Sequence, residues 1–358
     1  MSQARQIRFW LIGFLLFVAV LWVLAGMLLP FVAGLAIAYL LDPLVDRFEN
    51  WGLPRWLGTT LSLLSFVVVL VTFALLLVPL IQAQTAQLIE VLPGYAAAFR
   101  ARVEPLIMRF VENLSPEDVE RLRGAAGQHA MDVVGWVAKV LRSVLSGGLA
   151  FFDVLSVLFI TPVVAFYLLR DWDLLVAKVD QWLPRMHAST IREQARQVDD
   201  TLAGFLRGQA LVCVVLGSFY AVALSSAGLT FGLVIGLLSG FLSFIPYVGS
   251  LFGFASAVGL ALMQFEDPWR VVVVAAIFLF GQAVEGNVLT PKVVGDKVGL
   301  HPVWMIFALL AGGSLFGFVG VLLAVPVAAV IGVLTRFALG QYLQSPYYRG
   351  TNAGPPLP

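Results

Sequence analysis

The chain has 358 residues, of which 60% are hydrophobic and only 12% are charged, and its formal net charge is +1 at pH 7. Soluble domains carry about 25% charged residues, so this composition excludes an ordinary water-soluble enzyme. Because phosphate backbones are bound by concentrated positive charge, the neutral balance also argues against a nucleic-acid partner.

Long stretches without Asp, Glu, Lys or Arg predict where the chain crosses a membrane. A helix spans the bilayer core in about 20 apolar residues. We therefore predict an all-α polytopic membrane protein with eight to ten membrane segments, including short or re-entrant helical hairpins, plus a helical extramembrane excursion. The charge-free runs cover residues 9–41, 56–89, 208–265 and 298–335, with shorter runs at 154–169 and 271–284.

The first run, residues 9–41, is too long for one crossing and short for two. Pro30, which follows Gly26, marks a helix break and favours two short helices in a hairpin. Arg5 and Arg8 precede the apolar stretch as in a signal peptide, but no polar sequence follows a cleavage site, so we expect an uncleaved span. With a third span from residue 56 to about 82, these helices form an N-terminal membrane unit, residues 1–82.

Two polar segments follow. Residues 83–148 are predicted to form an extracytoplasmic helical excursion, with a helix beginning at Ser115-Pro116. Residues 149–169 return through the membrane, and residues 170–207 are predicted to form a cytoplasmic amphipathic segment. One helical face of that segment is apolar, as in a helix that lies on a membrane surface. The residues on this face are Trp172, Leu175, Val179 and Trp182.

The C-terminal part, residues 208–340, is predicted to be the membrane transport core, and residues 341–358 a disordered cytoplasmic tail. Gly228 and Pro246 divide the long apolar run, and Gly312-Gly313 divide the last one. A divided run forms either two short crossings or one re-entrant hairpin. In both cases the chain returns to the side of the membrane that it left. This choice stays open for residues 9–41, 230–264 and 303–335.

The charges of the short loops predict orientation, because Lys and Arg are retained on the cytoplasmic side. The turn Glu266-Asp267 is then extracytoplasmic, and both termini are cytoplasmic. The basic residues placed in the cytoplasm are Arg5, Arg8, Arg47, Arg55, Lys292, Lys297 and Arg336.

Templates for catalysis are absent from the sequence. The three histidines do not form an HExxH zinc helix, and no lysine completes a GxxxxGK phosphate loop. Cys213 is the single cysteine, so an internal disulfide or a cysteine metal site is excluded. We expect no enzyme activity, no metal and no cofactor.

Glu285 is the one charged residue between Arg270 and Lys292. A carboxylate at the centre of a membrane helix costs about 2.5–3.5 kcal/mol on insertion scales, so such residues normally face a cavity or a partner. At helical spacing Gln282 lies on the same face as Glu285. We predict that Glu285 binds a proton, a cation or a polar substrate. The alternative is a carboxylate at the cytoplasmic interface that Lys292 neutralises.

Pro291 is expected to break the same helix at Asn287, which would expose carbonyl groups beside the side-chain ligands, as in many secondary transporters. Gln282, Asn287 and Thr290 are the predicted neutral ligands. Pro246, in the segment Phe244 to Gly249, is the second predicted break. That segment is read either as a tight turn or as a turn that also lines a pathway.

Glycines at a spacing of four predict close helix packing, because small residues allow membrane helices to approach. A smooth glycine face would also permit helices to slide past each other, which is an alternative role. The ladder consists of Gly228, Gly232, Gly236 and Gly240.

Several motifs have an order and spacing typical of one family. They are Leu29-Pro30-Phe31 with Ala38 to Pro43, Phe244 to Gly249, Glu285 to Gly295 with Val298 to Pro302, and the glycine-rich stretch from Ala311 to Pro326. Over residues 5–340 the chain resembles the autoinducer-2 exporter family of bacterial predicted permeases; residues 83–148 match in character only. The resemblance implies an inner-membrane transporter, in a family whose members are linked to export of the furanone signal autoinducer-2 or proposed as sodium/proton antiporters.

These observations together predict a secondary transporter of the bacterial cytoplasmic (inner) membrane. It would export a small polar molecule such as the quorum-sensing signal autoinducer-2, with coupling to a proton or cation left open. One alternative is a sodium/proton antiporter. Another, from a different class, is a non-transporting scaffold that recruits partners through its polar segments. The glycine faces are also compatible with a homo-oligomer.

Overall fold

The computed structural model describes residues 27–111, 151–294 and 299–349, together with residues 12, 13, 16 and 20–24. These residues form helices joined by turns, and none of them lies in a β-strand. Five of the helices are long and apolar enough to cross a membrane. The predicted class, an all-α polytopic membrane protein, is therefore confirmed.

The helices are named in chain order. They are α1 (Leu28–Asn50), α2 (Arg55–Val111), α3 (Phe151–Gln181), α4 (Ala188–Ser226), α5 (Gly232–Leu242), α6 (Val248–Gln264), α7 (Pro268–Val284), a π-helical segment (Glu285–Val294), α8 (Pro302–Gln344) and α9 (Pro346–Arg349). The chain divides into two compact units. The first unit comprises Met1–Ser65, Ser156–Leu211 and Asn287–Pro358, and the second comprises Phe66–Leu155 and Val212–Gly286.

Helix boundaries follow local chemistry at several points. Helix α1 begins at Leu28, so Pro30 lies in its first turn, where its missing N–H is not needed. The carboxylate of Asp267 accepts a hydrogen bond from the Trp269 backbone N–H at 3.0 Å and caps α7, with Pro268 at the first helical position. His301 caps α8 in the same way.

Two helices continue into segments that the sequence assigns to polar regions. Helix α2 runs for 57 residues, past the predicted end of the span near residue 82. Helix α3 runs past residue 169 to Gln181, because no glycine or proline interrupts residues 163–181. The predicted surface helix with Trp172 is therefore the continuation of α3, and its apolar side chains Leu175 and Val179 are exposed.

Two further predictions concern the polar segments and their ends. The helix start at Ser115 lies outside the described residues. Helix α8 continues to Gln344, and α9 follows, so helical structure enters the predicted tail; residues 350–358 lie outside the described part.

Across the turn between α3 and α4, Arg192 binds Asp180 through two N–O contacts of 2.6 and 2.8 Å, and these hydrogen bonds lower the pKa of the Asp180 carboxyl.

In the first unit, α8 is a helical hairpin that folds back at Gly317. Its φ of 58° and ψ of −137° belong to a region that only glycine adopts readily, so the chain breaks there and not at Gly312-Gly313 as the sequence indicates. Gly312 stays helical and lies against the Gly320 backbone, because neither carries a side chain. The apolar core nearby contains Phe205, Val325 and Ala329.

In the second unit, α5 and α6 form the other hairpin; the predicted division at Gly228 lies in the turn before α5, and the one at Pro246 lies in the turn between α5 and α6. Gly228 has a φ of 81° in the turn before α5. The Gln264 side chain clamps this turn, donating to the Gly228 carbonyl at 2.8 Å and accepting from the Thr230 backbone N–H at 3.0 Å. Helix α5 has 11 residues and rises only about 16 Å, about half the bilayer core, so it does not cross alone.

Candidate functional site

Glu285 lies where the helix that carries it changes type. It follows Val284, the last residue of α7, and begins the π-helical segment, which continues through Pro291 to Val294. The prediction that Pro291 breaks the helix at Asn287 is therefore wrong: the chain stays helical, but it changes from an α-helix to a wider π-helix at Glu285. In an α-helix a proline ring clashes with the carbonyl four residues earlier. The i→i+5 hydrogen bonding of a π-helix moves that carbonyl away, so the segment accommodates Pro291. π-Helical turns occur frequently at functional sites.

Gln282 and Glu285 lie in contact, as their spacing of three residues predicts. The Gln282 side-chain amide donates a hydrogen bond of 2.6 Å to the Glu285 carboxylate. The Glu285 side chain is half-buried, and Gln282 is exposed at the surface of the chain. Because lipid is a costly environment for a carboxylate, the exposed edge of this pair is expected to face a water-filled cavity or a partner.

The remaining predicted ligands lie further along the π-helical segment. Asn287 and Thr290 are exposed, as is Lys292, the predicted charge partner. The ion pairs within the described ranges do not include Lys292. A π-helix has more residues per turn than an α-helix, so residues seven apart no longer share one face as Glu285 and Lys292 would in an α-helix.

Tyr220 of α4 is a residue of this site that the sequence did not single out. Its side chain is completely buried, and its ring stacks on Phe278 with centroids 4.4 Å apart. The phenol packs directly against Gly281, the residue before Gln282: a Cβ at Gly281 would lie 2.6 Å from the ring carbon Cζ. A tyrosine in an apolar run is a weak signal by itself, and only the fold brings it beside Gln282.

The glycine ladder is divided between a turn and a helix interface. Gly228 lies in the turn before α5, with no atom within 4 Å of the place where a Cβ would stand, so it does not pack. Gly232, Gly236 and Gly240 all lie on the face of α5 that contacts the backbone of α4. A Cβ at Gly232 would lie 2.7 Å from the Leu224 carbonyl carbon. The two backbones are therefore as close as the absence of side chains allows.

The tip of the α5–α6 hairpin contains Pro246, as predicted, and is held by serine hydroxyls. The Ser239 hydroxyl donates to the Gly249 carbonyl at 2.8 Å, and the Ser243 hydroxyl donates to the Ser239 carbonyl at 2.8 Å. Tyr247 has a φ of 67°, an unusual conformation for a residue with a side chain, and its side chain is exposed. The turn is thus held by side-chain hydrogen bonds, and it displays an aromatic ring at its tip.

A second polar feature, in the first unit, was not predicted from the sequence. Arg55, the first residue of α2, joins the end of α1 to the middle of α3: its side chain donates to the Leu169 carbonyl at 3.0 Å and contacts Asp173 at 2.8 Å and Glu49 at 3.2 Å. Asp42 and Asp46 lie at 3.6 and 3.8 Å. We name these five charged residues the Arg55 network.

A cleft of about 190 Å³ borders this network. Arg207 donates to the Tyr39 carbonyl at 2.9 Å and contacts Asp42 at 3.5 Å, while the Tyr39 hydroxyl donates to Asp199 at 2.8 Å. Trp172 supplies an apolar wall. At about 30 Å³ per water, the cleft holds roughly six waters or one small solute. In the part of the chain that the structure describes, no group of three His, Cys, Asp or Glu residues is arranged to hold a metal.

Comparison with known proteins covers nearly the whole chain. A family model described as AI-2E family transporter matches residues 11–340. YrrI of Bacillus subtilis, whose name proposes a transport protein, is 31% identical over 316 residues, which is 87% of this chain and 86% of YrrI. PerM of Escherichia coli, whose name proposes a permease, is 27% identical over 326 residues and 91% of each chain. The AI-2 transport protein TqsA of E. coli is 26% identical over 321 residues and 88% of each chain.

Proposed function

The chain belongs to the AI-2E transporter family, and on this premise we propose that it is a secondary transporter that exports a small polar molecule, with an autoinducer-2-like signal as its substrate. Its family consists of transporters and permeases, so the protein is a multi-pass membrane transport protein and not an enzyme. We further propose that it lies in the bacterial inner membrane with both termini in the cytoplasm.

The observation that carries the proposal is the hydrogen-bonded pair Gln282–Glu285 at the junction of α7 and the π-helical segment. A carboxylate on an apolar helix is costly in lipid and normally marks a site for a proton, an ion or a solute, and the Gln282 amide orients this one. Asn287 and Thr290 follow on the same π-helical segment and are proposed as further neutral ligands. The hydrogen-bonded turn at Pro246, between α5 and α6, is proposed as a second element that shapes the pathway.

Replacing Glu285 with glutamine tests this role, because the change removes the charge and keeps the volume. We expect the initial rate of autoinducer-2 release from loaded proteoliposomes to fall about 10- to 100-fold, the effect of losing hydrogen bonds to a charged group. Release is measured by mass spectrometry of the external medium, and an internal pH dye records proton movement. Glu266→Gln, in the exposed turn before α7, is the matched control and should transport normally.

The outcomes separate the proposed exporter from its alternatives. Release that is unchanged in Glu285→Gln contradicts the assignment of Glu285. Sodium-driven proton movement without autoinducer-2 release would identify a sodium/proton antiporter. A scaffold predicts neither flux, and it predicts a cellular phenotype that is abolished by deleting residues 83–148 but not by Glu285→Gln.

A further inference from the structure

The Tyr220 hydroxyl is a buried polar group that makes no hydrogen bond of normal geometry within the described part of the fold. Its side chain has no accessible surface, and among the described residues its oxygen has no hydrogen-bond partner. A buried hydroxyl that is left unpaired opposes folding, whereas phenylalanine at the same position would carry no such penalty. Packing alone therefore does not explain a tyrosine here.

The surrounding side chains fix where this hydroxyl points. Stacking on Phe278 and contact with Phe219 at a centroid distance of 5.5 Å hold the ring. Phe254 meets Phe278 edge-on at 6.2 Å and supports the stack. At the far end of the ring, the phenol oxygen rests on Gly281, the only kind of residue that leaves room for it.

The groups beyond Gly281 are those of the candidate site. The Tyr220 hydroxyl lies close to the Gln282 side chain, without a hydrogen bond of normal geometry, and within electrostatic reach of Glu285. Gln282 already donates to Glu285. The site therefore contains a hydrogen-bonded pair and, beside it, a phenol hydroxyl whose own hydrogen bond is not made with normal geometry.

We propose that Tyr220 is a third binding residue of the Glu285 site and that its hydroxyl donates a hydrogen bond to an oxygen atom of the transported solute. This inference rests on the proposed function and specifies the solute as a hydroxylated molecule and not a bare cation. Such a molecule both donates and accepts hydrogen bonds, which suits a carboxylate, an amide and a phenol together. A bare cation takes only acceptor oxygens and would leave the phenol proton unpaired.

Bound solute would then gain from a donor whose orientation is already fixed, since little side-chain freedom is lost on binding. The same feature gives specificity, because an analogue without an oxygen at that point would leave the phenol unpaired. Tyr220 also contacts α5 through its backbone, at Gly236. Because the Tyr220 side chain has no accessible surface in this conformation, the solute would reach its hydroxyl when the α5–α6 hairpin moves against α4.

Tyr220→Phe tests the proposal, because it removes one oxygen and keeps the ring. The probe is autoinducer-2 in proteoliposomes, with initial rates measured over a range of concentrations. We expect KM to rise about tenfold while the maximal rate stays within about twofold, the signature of a lost contact that is made equally in the ground and transition states. Tyr167→Phe, which removes an exposed hydroxyl on α3, should leave both parameters unchanged.

Glu285→Gln is measured in parallel to separate the two proposals. An unchanged KM in Tyr220→Phe, alongside a strong loss in Glu285→Gln, overturns the role of Tyr220 and leaves the proposed function standing. A fall in maximal rate and thermal stability without a change in KM assigns Tyr220 to structure and also overturns the inference. If the wild-type protein carries no autoinducer-2, both proposals fail together.

Discussion

Replacing Gly240 with valine is expected to separate α5 from α4 and to destabilise the protein by about 3 kcal/mol, at the upper end of the usual cost of overpacking. A Cβ at Gly240 would occupy the place of the Gly217 backbone and would lie 2.8 Å from the Cys213 carbonyl oxygen. Backbone atoms have no alternative rotamer, so the helices themselves must move. The measurement is the unfolding of the detergent-solubilised protein, followed by thermal scanning.

Gly259→Val provides the matched control for this substitution. Gly259 lies within the neighbouring helix α6, and no atom lies within 4 Å of the position that a Cβ would take. Both variants introduce the same β-branched residue into a helix, so they share the same change in helix propensity. Equal unfolding temperatures for the two variants would contradict a tight α4–α5 interface at Gly240.

Arg55→Met is expected to destabilise the first unit by about 1–2 kcal/mol, because it leaves four partly exposed carboxylates close together without the cation that they share. The Arg55 side chain is only 19% exposed, so water replaces the guanidinium incompletely. The loss also removes the hydrogen bond to the Leu169 carbonyl, which joins α2 to α3. Thermal unfolding at low and high salt is the measurement, and about 1 M salt should recover part of the loss by screening the carboxylates.

Arg47→Met is the control for the Arg55 variant. Arg47 is exposed near the end of α1, and the ion pairs of the described residues do not include it. Removing it takes one positive charge from the same loop region, so any effect on membrane orientation would be shared by both variants. If both variants unfold at the same temperature, the Arg55 network contributes nothing specific.

The Arg55 network also shows why its residues escape detection in the sequence. The sequence predicts for Arg55 only a cytoplasmic loop cation that sets orientation, and it assigns no role to Asp46 and Glu49, which follow the charge-free run 9–41. Their shared role depends on α3 bringing Asp173 and the Leu169 carbonyl to the same point, more than 100 residues further along the chain. No periodic pattern encodes such a meeting.

Local signals were sufficient where one backbone feature decides the outcome. Pro246 marks a turn because a proline ring disfavours a continuous helix, and Gly228 marks a turn because glycine adopts a positive φ without strain. The contact of Gln282 with Glu285 follows from a spacing of three on a helix. The sequence indicates the break at Gly312-Gly313 and not at Gly317, because any of these glycines can leave helical geometry and the sequence does not show which one does. Packing against Gly320 keeps Gly312 helical, and the break lies at Gly317.

The sequence by itself determined that this protein is an all-helical membrane protein and that Glu285 is the exceptional charge in its C-terminal apolar segments, because the distribution of charge and helical periodicity are local properties. The tertiary structure alone decided that Tyr220 lies against Gly281, that three glycines of α5 contact the α4 backbone, and that Arg55 gathers four carboxylates. These contacts join residues far apart in the chain, and they depend on how whole helices pack.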